Sequence, residues 1–200
     1  SSHPGGDWVH PEVSSLFIRT VRTQDLLSLS EVLTSSFHSA DGTWGWLYPL
    51  LRVGIYEDLK SRLQARKPHY ACLVAVLRDT RSLLQTVGLG DRPIGTVELS
   101  LRHPPLNPFR KSRYLYISNL AVSQEYRRQG VAQQLLQACE RIALDWGFHE
   151  LYLHVLEDNQ AAKRLYYKAG YRVRSIELNP IGWALGRPRQ LLLAKRLGEP

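Results

Sequence analysis

The sequence contains no methionine and only two cysteines, and none of its apolar runs approaches the ~20 residues that cross a bilayer. Each absence excludes something. Cys72 sits inside an apolar strand pattern and Cys139 inside an apolar helix pattern, so both read as small core residues, and neither a disulfide framework nor a metal site is expected. The opening Ser-Ser-His-Pro-Gly-Gly has neither the charged nor the apolar region of a signal peptide, which predicts a soluble, intracellular protein. Without a methionine the sequence does not start at an initiator, and residues 1–14 read as a flexible segment ahead of a single domain at 15–200. Two hundred residues with 44% hydrophobic content suffice for one core and fall short of two.

What is plentiful is positive charge. Lysine and arginine total 26 against 18 acidic residues, a formal charge of +8. That excess favours an anionic partner (a nucleotide cofactor, nucleic acid or an acidic peptide) or serves only as a solvated surface. No nucleic-acid recognition motif accompanies it and no apolar run spans a bilayer, so neither a nucleic-acid nor a membrane partner is expected.

The charge has a focus at Arg127 and Arg128. Tyr114 to Val122 is a β-branched and aromatic run predicting a strand, and from Gly130 the apolar residues Val131, Leu135, Ala138, Ile142 and Trp146 recur at helical spacing. A tight turn joins the two. Helix starts expose backbone N–H groups without partners and carry the positive end of the helix dipole, so this turn is a ready anion site. Its donors come from residues 127–132; Gly130 allows close approach and Ala132 leaves room. A pyrophosphate suits it.

Along the chain, strands are predicted at 16–21, 70–77, 94–101, 114–122, 150–155, 171–178 and 190–195, and helices at 23–37, 55–66, 130–146 and 159–169. A mixed sheet of about seven strands flanked by about four helices is the economical architecture. Residues 41–51 are read as a loop or broken helix, because Trp44, Trp46, Tyr48 and Pro49 crowd between glycines. These aromatics either wall a substrate pocket or fold onto the core. The 103–112 loop, with three prolines, cannot continue a ladder.

Two motifs carry a resemblance. Arg127-Arg128-Gln129-Gly130-Val131-Ala132 resembles the Arg/Gln-x-x-Gly-x-Gly/Ala signature of the GNAT superfamily of acyl-CoA-dependent N-acyltransferases. Asn159-x-x-Ala162-x-x-x-Tyr166-x-Lys168-x-Gly170-Tyr171 resembles that family's downstream block. The likeness covers about residues 16–196 and is densest at 114–172.

The resemblance implies a GNAT-like α/β (mixed α+β) fold, a mostly antiparallel twisted sheet splayed at its centre, with the pantetheine arm of acetyl-CoA lying in the gap. It assigns backbone groups of Leu120, Ala121 and Val122 to that arm, with the Leu120 N–H polarising the thioester carbonyl. The pyrophosphate falls to Arg127, Arg128, Gln129, Gly130, Val131 and Ala132. Asn159 contacts the arm, and Tyr166 protonates the departing thiolate; on spacing alone Tyr166 reads first as a core residue, and the surrounding block reverses that.

An amine acceptor must lose a proton, so a base is needed. Strand alternation puts Tyr114, Tyr116 and Ser118 on one face and Tyr152 and His154 on one face of a neighbouring strand. The strings Leu-Tyr-Ile and Tyr-Leu-His-Val resemble protein N-terminal acetyltransferases in which a tyrosine and a histidine relay the proton through water, which assigns that role to Tyr116 and His154. Glu98 is the rival base; otherwise it is a solvated edge charge or an ion-pair member. Other blocks are similar to the plastid and cyanobacterial branch of the superfamily, which acts on protein N-termini and lysines, with some members acting on arylalkylamines.

The expected activity is therefore acetyl transfer from acetyl-CoA to protein α-amines, lysine ε-amines or both. A small-amine acetyltransferase and a non-catalytic CoA-binding sensor are the alternatives. The expected location is the cytoplasm of a bacterium or cyanobacterium, or a plastid stroma, and the expected state a monomer or homodimer. The loops at 41–51, 103–112 and 179–189 are expected to choose the acceptor.

Overall fold

Alternation along Tyr70–Asp79 (β2) shows how the sheet is covered. Leu73 and Ala75 enter one apolar cluster while Cys72, Val74 and Val76 enter another on the opposite face. A strand buried on both faces lies inside the sheet, with helices on either side. The computed structural model describes residues 14–38, 48–65, 67–79, 91–103, 113–177 and 188–198. Residues 1–13, and most of the three loops expected to choose the acceptor, lie outside these.

The remaining strands are β1 (Ser14–Thr20), β3 (Asp91–Arg102), β4 (Tyr114–Val122), β5 (Glu150–Leu156), β6 (Arg172–Glu177) and β7 (Gln190–Arg196). They form one sheet in the order β1-β2-β3-β4-β5-β7-β6. Every neighbouring pair is antiparallel except β4 and β5, which run parallel. Parallel neighbours need a long crossover, and the helix Val131–Asp145, here α3, supplies it.

The helices divide between the faces. α1 (Leu26–His38) buries Leu26, Leu29, Val32 and Leu33, and α2 (Tyr48–Gln64) buries Leu59 beside them, against Cys72, Val74, Val76 and Ala121. On the other face α3 buries Val131, Leu135, Leu136, Ala138, Cys139 and Ala143, a stripe at helical spacing. Each fully buried leucine there stabilises by about 1.5–3 kcal/mol. The short helix α4 (Gln160–Lys168) packs Ala162, Leu165 and Tyr166 on the same side. Both cysteines are free and buried, as core residues should be.

The element order and the mixed, mostly antiparallel sheet agree with expectation. Element ends agree to within three residues except one. The sequence reading starts the second helix at 55, whereas α2 starts at Tyr48 and takes in the last part of the supposed aromatic loop. Pro49 is tolerated in a first turn, where its missing N–H has no helical partner to lose. The apolar residues at positions 50, 51, 53 and 55 follow no helical spacing in the sequence and Gly54 lies among them, so no period stands out. Trp44 and Trp46 lie outside the described residues.

Candidate functional site

The parallel pairing of β4 and β5 lasts two residues, Leu115 with Leu151 and Tyr116 with Tyr152. Beyond it the strands part, and the facing edges from Ile117 and Leu153 onward have no strand partner among the described residues. A bulge marks the parting. Between Glu98↔Ser118 and Thr96↔Ala121, β3 advances two residues and β4 three, with Asn119 left-handed at φ +52°. The extra residue flips the alternation: Leu120 packs with the α3-side core and Ala121 with the α1–α2 side. Open edges of this kind offer backbone donors and acceptors to an extended ligand, as an added strand would use them.

The second part of the site follows β4. A single 3-10 turn, Gln124–Tyr126, leads through Arg127 to Arg128 at φ +62° and Gly130 at φ +82°. Gly130 is the N-cap of α3 and brings no side chain to cap it, and the first helical bond there is Gln134 N–H to Gly130 O at 3.0 Å. The preceding first-turn amides of Val131, Ala132 and Gln133 thus precede the helical ladder. A Cβ built on Gly130 meets nothing within 4 Å, so the space above the turn is open. Arg127, Arg128 and Gln129 are exposed; Arg127 Nε donates to Val122 O at 3.2 Å and Gln129 Nε2 to Glu125 O at 3.0 Å. Room, free donors and positive charge fit a diphosphate.

At the mouth of the split, Tyr116 and His154 come together as alternation predicts. Tyr116 Oη lies 2.7 Å from His154 Nδ1. Tyr116 is 7% exposed, and the Arg102 guanidinium stacks 3.5 Å from its ring centroid. Burial pushes the Tyr116 hydroxyl up and Arg102 partly opposes it. On its other side His154 Nε2 is 3.1 Å from Glu177 Oε2, near enough for an ion pair, although the N–H direction does not meet hydrogen-bond geometry. Beside them Tyr114 and Tyr152 pack edge to face at 5.3 Å.

Tyr166 lies half-buried on α4, edge-on to Tyr171 at 6.1 Å. Burial, and then Tyr116, push its hydroxyl up to about 12, so it stays protonated at neutral pH. Asn159 caps α4: its Oδ1 accepts from Ala162 N–H at 3.0 Å. That leaves its amide nitrogen as the end able to reach a ligand.

Glu98 hydrogen-bonds to none of these side chains and is not a solvated edge charge. It is 1% exposed in the middle of β3. Its Oε2 accepts from Arg62 Nη1 and Tyr70 Oη, both at 3.0 Å, and its Oε1 accepts from Asn119 Nδ2 at 2.6 Å. The buried carboxylate pushes the Tyr70 hydroxyl up after desolvation has done so, and raises the Cys72 thiol, to about 12, in the same order of causes.

Asn119, Arg102 and Glu177 escape the sequence reading. Asn119 alone has a local signal, an αL-tolerant residue inside a β-branched run. Arg102 and Glu177 reach the site only through strand neighbours distant in sequence.

No helix among the described residues is long and apolar enough to cross a membrane, and no metal-ligating cluster occurs among them. The acetyltransferase (GNAT) family matches residues 40–171. GCN5-related N-acetyltransferase 10, chloroplastic, of Arabidopsis thaliana is 41% identical over 158 residues, covering 76% of this chain and 59% of that protein. Thialysine N-epsilon-acetyltransferase of Bos taurus is 37% identical over 114 residues, 57% of this chain and 62% of its own. The chain therefore spans less than two thirds of either relative. In fold it matches the PaiA N-acetyltransferase of Thermoplasma acidophilum, solved in complex with coenzyme A, at a TM-score of 0.65 and 20% identity over 91% of this chain and 99% of that one. With the family match and the 41% identity added to the split sheet and the glycine turn, the chain belongs to the acetyltransferase (GNAT) family.

Proposed function

We propose that this chain transfers acetyl from acetyl-CoA to a primary amine, with protein N-terminal α-amines, lysine ε-amines or both as acceptors. The observation that carries the reading is the 2.7 Å contact between Tyr116 Oη and His154 Nδ1 beside the split in the sheet. Bound acetyl-CoA would supply an acetyl group activated as a thioester. The turn at Arg127, Arg128, Gln129, Gly130, Val131 and Ala132 would hold its diphosphate, and backbone groups of Leu120, Ala121 and Val122, with Asn159, its arm. The Leu120 N–H faces the charge that develops on the carbonyl oxygen.

An ammonium has no lone pair to give, so proton removal comes before or with attack. Glu177 near Nε2 favours the tautomer with the proton on that nitrogen, leaving Nδ1 to accept the Tyr116 O–H. Through a water, Tyr116 takes the amine proton as its own passes to His154. The amine nitrogen bonds to the carbonyl carbon and then loses its second proton to solvent, the carbon–sulfur bond breaks, and Tyr166 gives its proton to the departing thiolate. Exchange with solvent restores Tyr166 and His154. Glu98 is not the base in this scheme, because both of its oxygens already accept from half-buried donors.

The relative named for a thialysine N-ε-acetyltransferase favours a second reading, a small free amine as acceptor. The relative named chloroplastic supports a plastid stromal location over a cytoplasmic one. The discriminating experiment is a thiol-release screen over peptides with a free α-amine, N-blocked peptides containing lysine, and small amines such as thialysine and tryptamine. Turnover with the peptides supports the leading reading and turnover with small amines alone selects the second. Acetyl-CoA binding without thiol release from any of them would leave a non-catalytic sensor.

A further inference from the structure

We infer that Glu98 and Asn119 form a latch that holds the β4 bulge, so that Glu98 serves the site as a positioning residue through Asn119. The inference rests on the proposed acetyl transfer for its kinetic consequence and on geometry for the latch itself.

Three features define it. Asn119 is one of three described non-glycine residues with positive φ, and it sits where β4 leaves β5. Asparagine tolerates that conformation better than most residues, yet a flexible bulge could still relax into regular pairing. Its side chain does not solvate; Nδ2 donates to Glu98 Oε1 at 2.6 Å, a short bond to a charged acceptor. Glu98 in turn is fixed from two further elements, by Arg62 of α2 and Tyr70 of β2 on its other oxygen.

A carboxylate 1% exposed is kept where its charge is compensated, and here each oxygen is engaged. Asn119 is therefore anchored to α2, β2 and β3 together. The residue that follows is Leu120, whose N–H is the donor assigned to the carbonyl oxygen. Moving the bulge moves that donor, and donor placement is felt in the transition state more than in ground-state binding.

The test uses Asn119→Gly, which keeps the left-handed backbone and deletes the tether, with Glu98→Ala as the partner deletion and the double variant closing the cycle. The latch predicts a fall in kcat of roughly ten- to a hundredfold in Asn119→Gly, part of the ~100- to 1000-fold that removal of an oxyanion donor costs. The Kd for CoA lacking the acetyl group stays within about twofold of wild type, and the double variant falls no further than the worse single, because both act through one contact. Hydrogen exchange at the Leu120 amide quickens in Asn119→Gly whether or not an acceptor is known. Wild-type kcat in that variant, or unaltered Leu120 exchange, overturns the latch, and so do additive losses in the cycle. Should Glu98→Ala not fold, Asn119→Gly and the exchange readout still decide. A wild-type protein that acetylates no amine counts against the proposed function instead, leaving the exchange result to judge the latch.

Discussion

Tyr116 Oη and His154 Nδ1 stand 2.7 Å apart across two strands that pair for only two residues. The pairing that brings them together ends immediately after Tyr116, so the contact sits at the point where the sheet opens. For His154→Ala we expect kcat to fall by ~100- to 10,000-fold at neutral pH, the usual weight of a positioned base. Raising the pH restores part of it, because a larger share of the amine arrives deprotonated. A flat loss across pH would remove His154 from the relay.

Tyr166→Phe removes the hydroxyl proposed to protonate the thiolate and keeps the ring against Tyr171. Turnover should drop by about 100-fold while acetyl-CoA affinity measured by calorimetry stays the same. Equal turnover in the variant would show that the thiolate leaves without Tyr166.

Gly130→Glu places a carboxylate at the open mouth of the turn, in a backbone held at φ +82° that a side chain resists. Beyond its chain neighbours no protein atom lies within 4 Å of a Cβ built there, so the loss should be of ligand more than of fold. Acetyl-CoA affinity should weaken ~100-fold or more, since a negative charge replaces a donor-lined space. Gly130→Ala, with strain and no charge, should lose less. Unchanged calorimetric affinity in Gly130→Glu would move the diphosphate elsewhere.

Glu98→Ala leaves the donors of Arg62, Tyr70 and Asn119 without their acceptor. Arg62 is 41% exposed and can turn to water, so the expected cost is about 2–4 kcal/mol, at or below the usual range for breaking a buried pair. Glu98→Gln keeps an acceptor for Asn119 and should retain activity within about tenfold. A larger loss that high pH rescues would make Glu98 the base after all.

Stability should decline in alkali. Burial raises Cys72 and Cys139 from 9.0 to about 12 and Tyr166 from 10.0 to about 12, so the unfolded chain loses these protons first. Their contribution is complete below pH 9, where both states hold the protons, and is lost as pH rises toward about 12. Denaturant midpoints taken in reductant should fall between pH 8.5 and 10.5, with the fall shallower in Cys139→Ala. An equal midpoint at both pH values would contradict the buried, protonated state.

Much of this was legible before any coordinates. Helical spacing from Val131 and alternation through Tyr114–Val122 located the strand, turn and helix, because both periods are local geometry written directly into residue order. The same alternation put Tyr116 and His154 on matching faces. It failed at α2, where Gly54 and scattered apolar residues conceal the period, and it misjudged the surroundings of Glu98.

Sequence alone determined which segments become strands and helices, where the glycine turn ahead of α3 lies, and which aromatic and histidine side chains share a face, since each depends on neighbours a few residues away. The tertiary structure decided the rest. That Glu177 comes within 3.1 Å of His154 depends on β7 lying between β5 and β6, and that Arg62, Tyr70 and Asn119 converge on Glu98 depends on α2, β2 and β4 packing around β3. Such contacts join residues 21 to 36 positions apart, and no local periodicity encodes them; only the packing of the whole sheet brings them within reach.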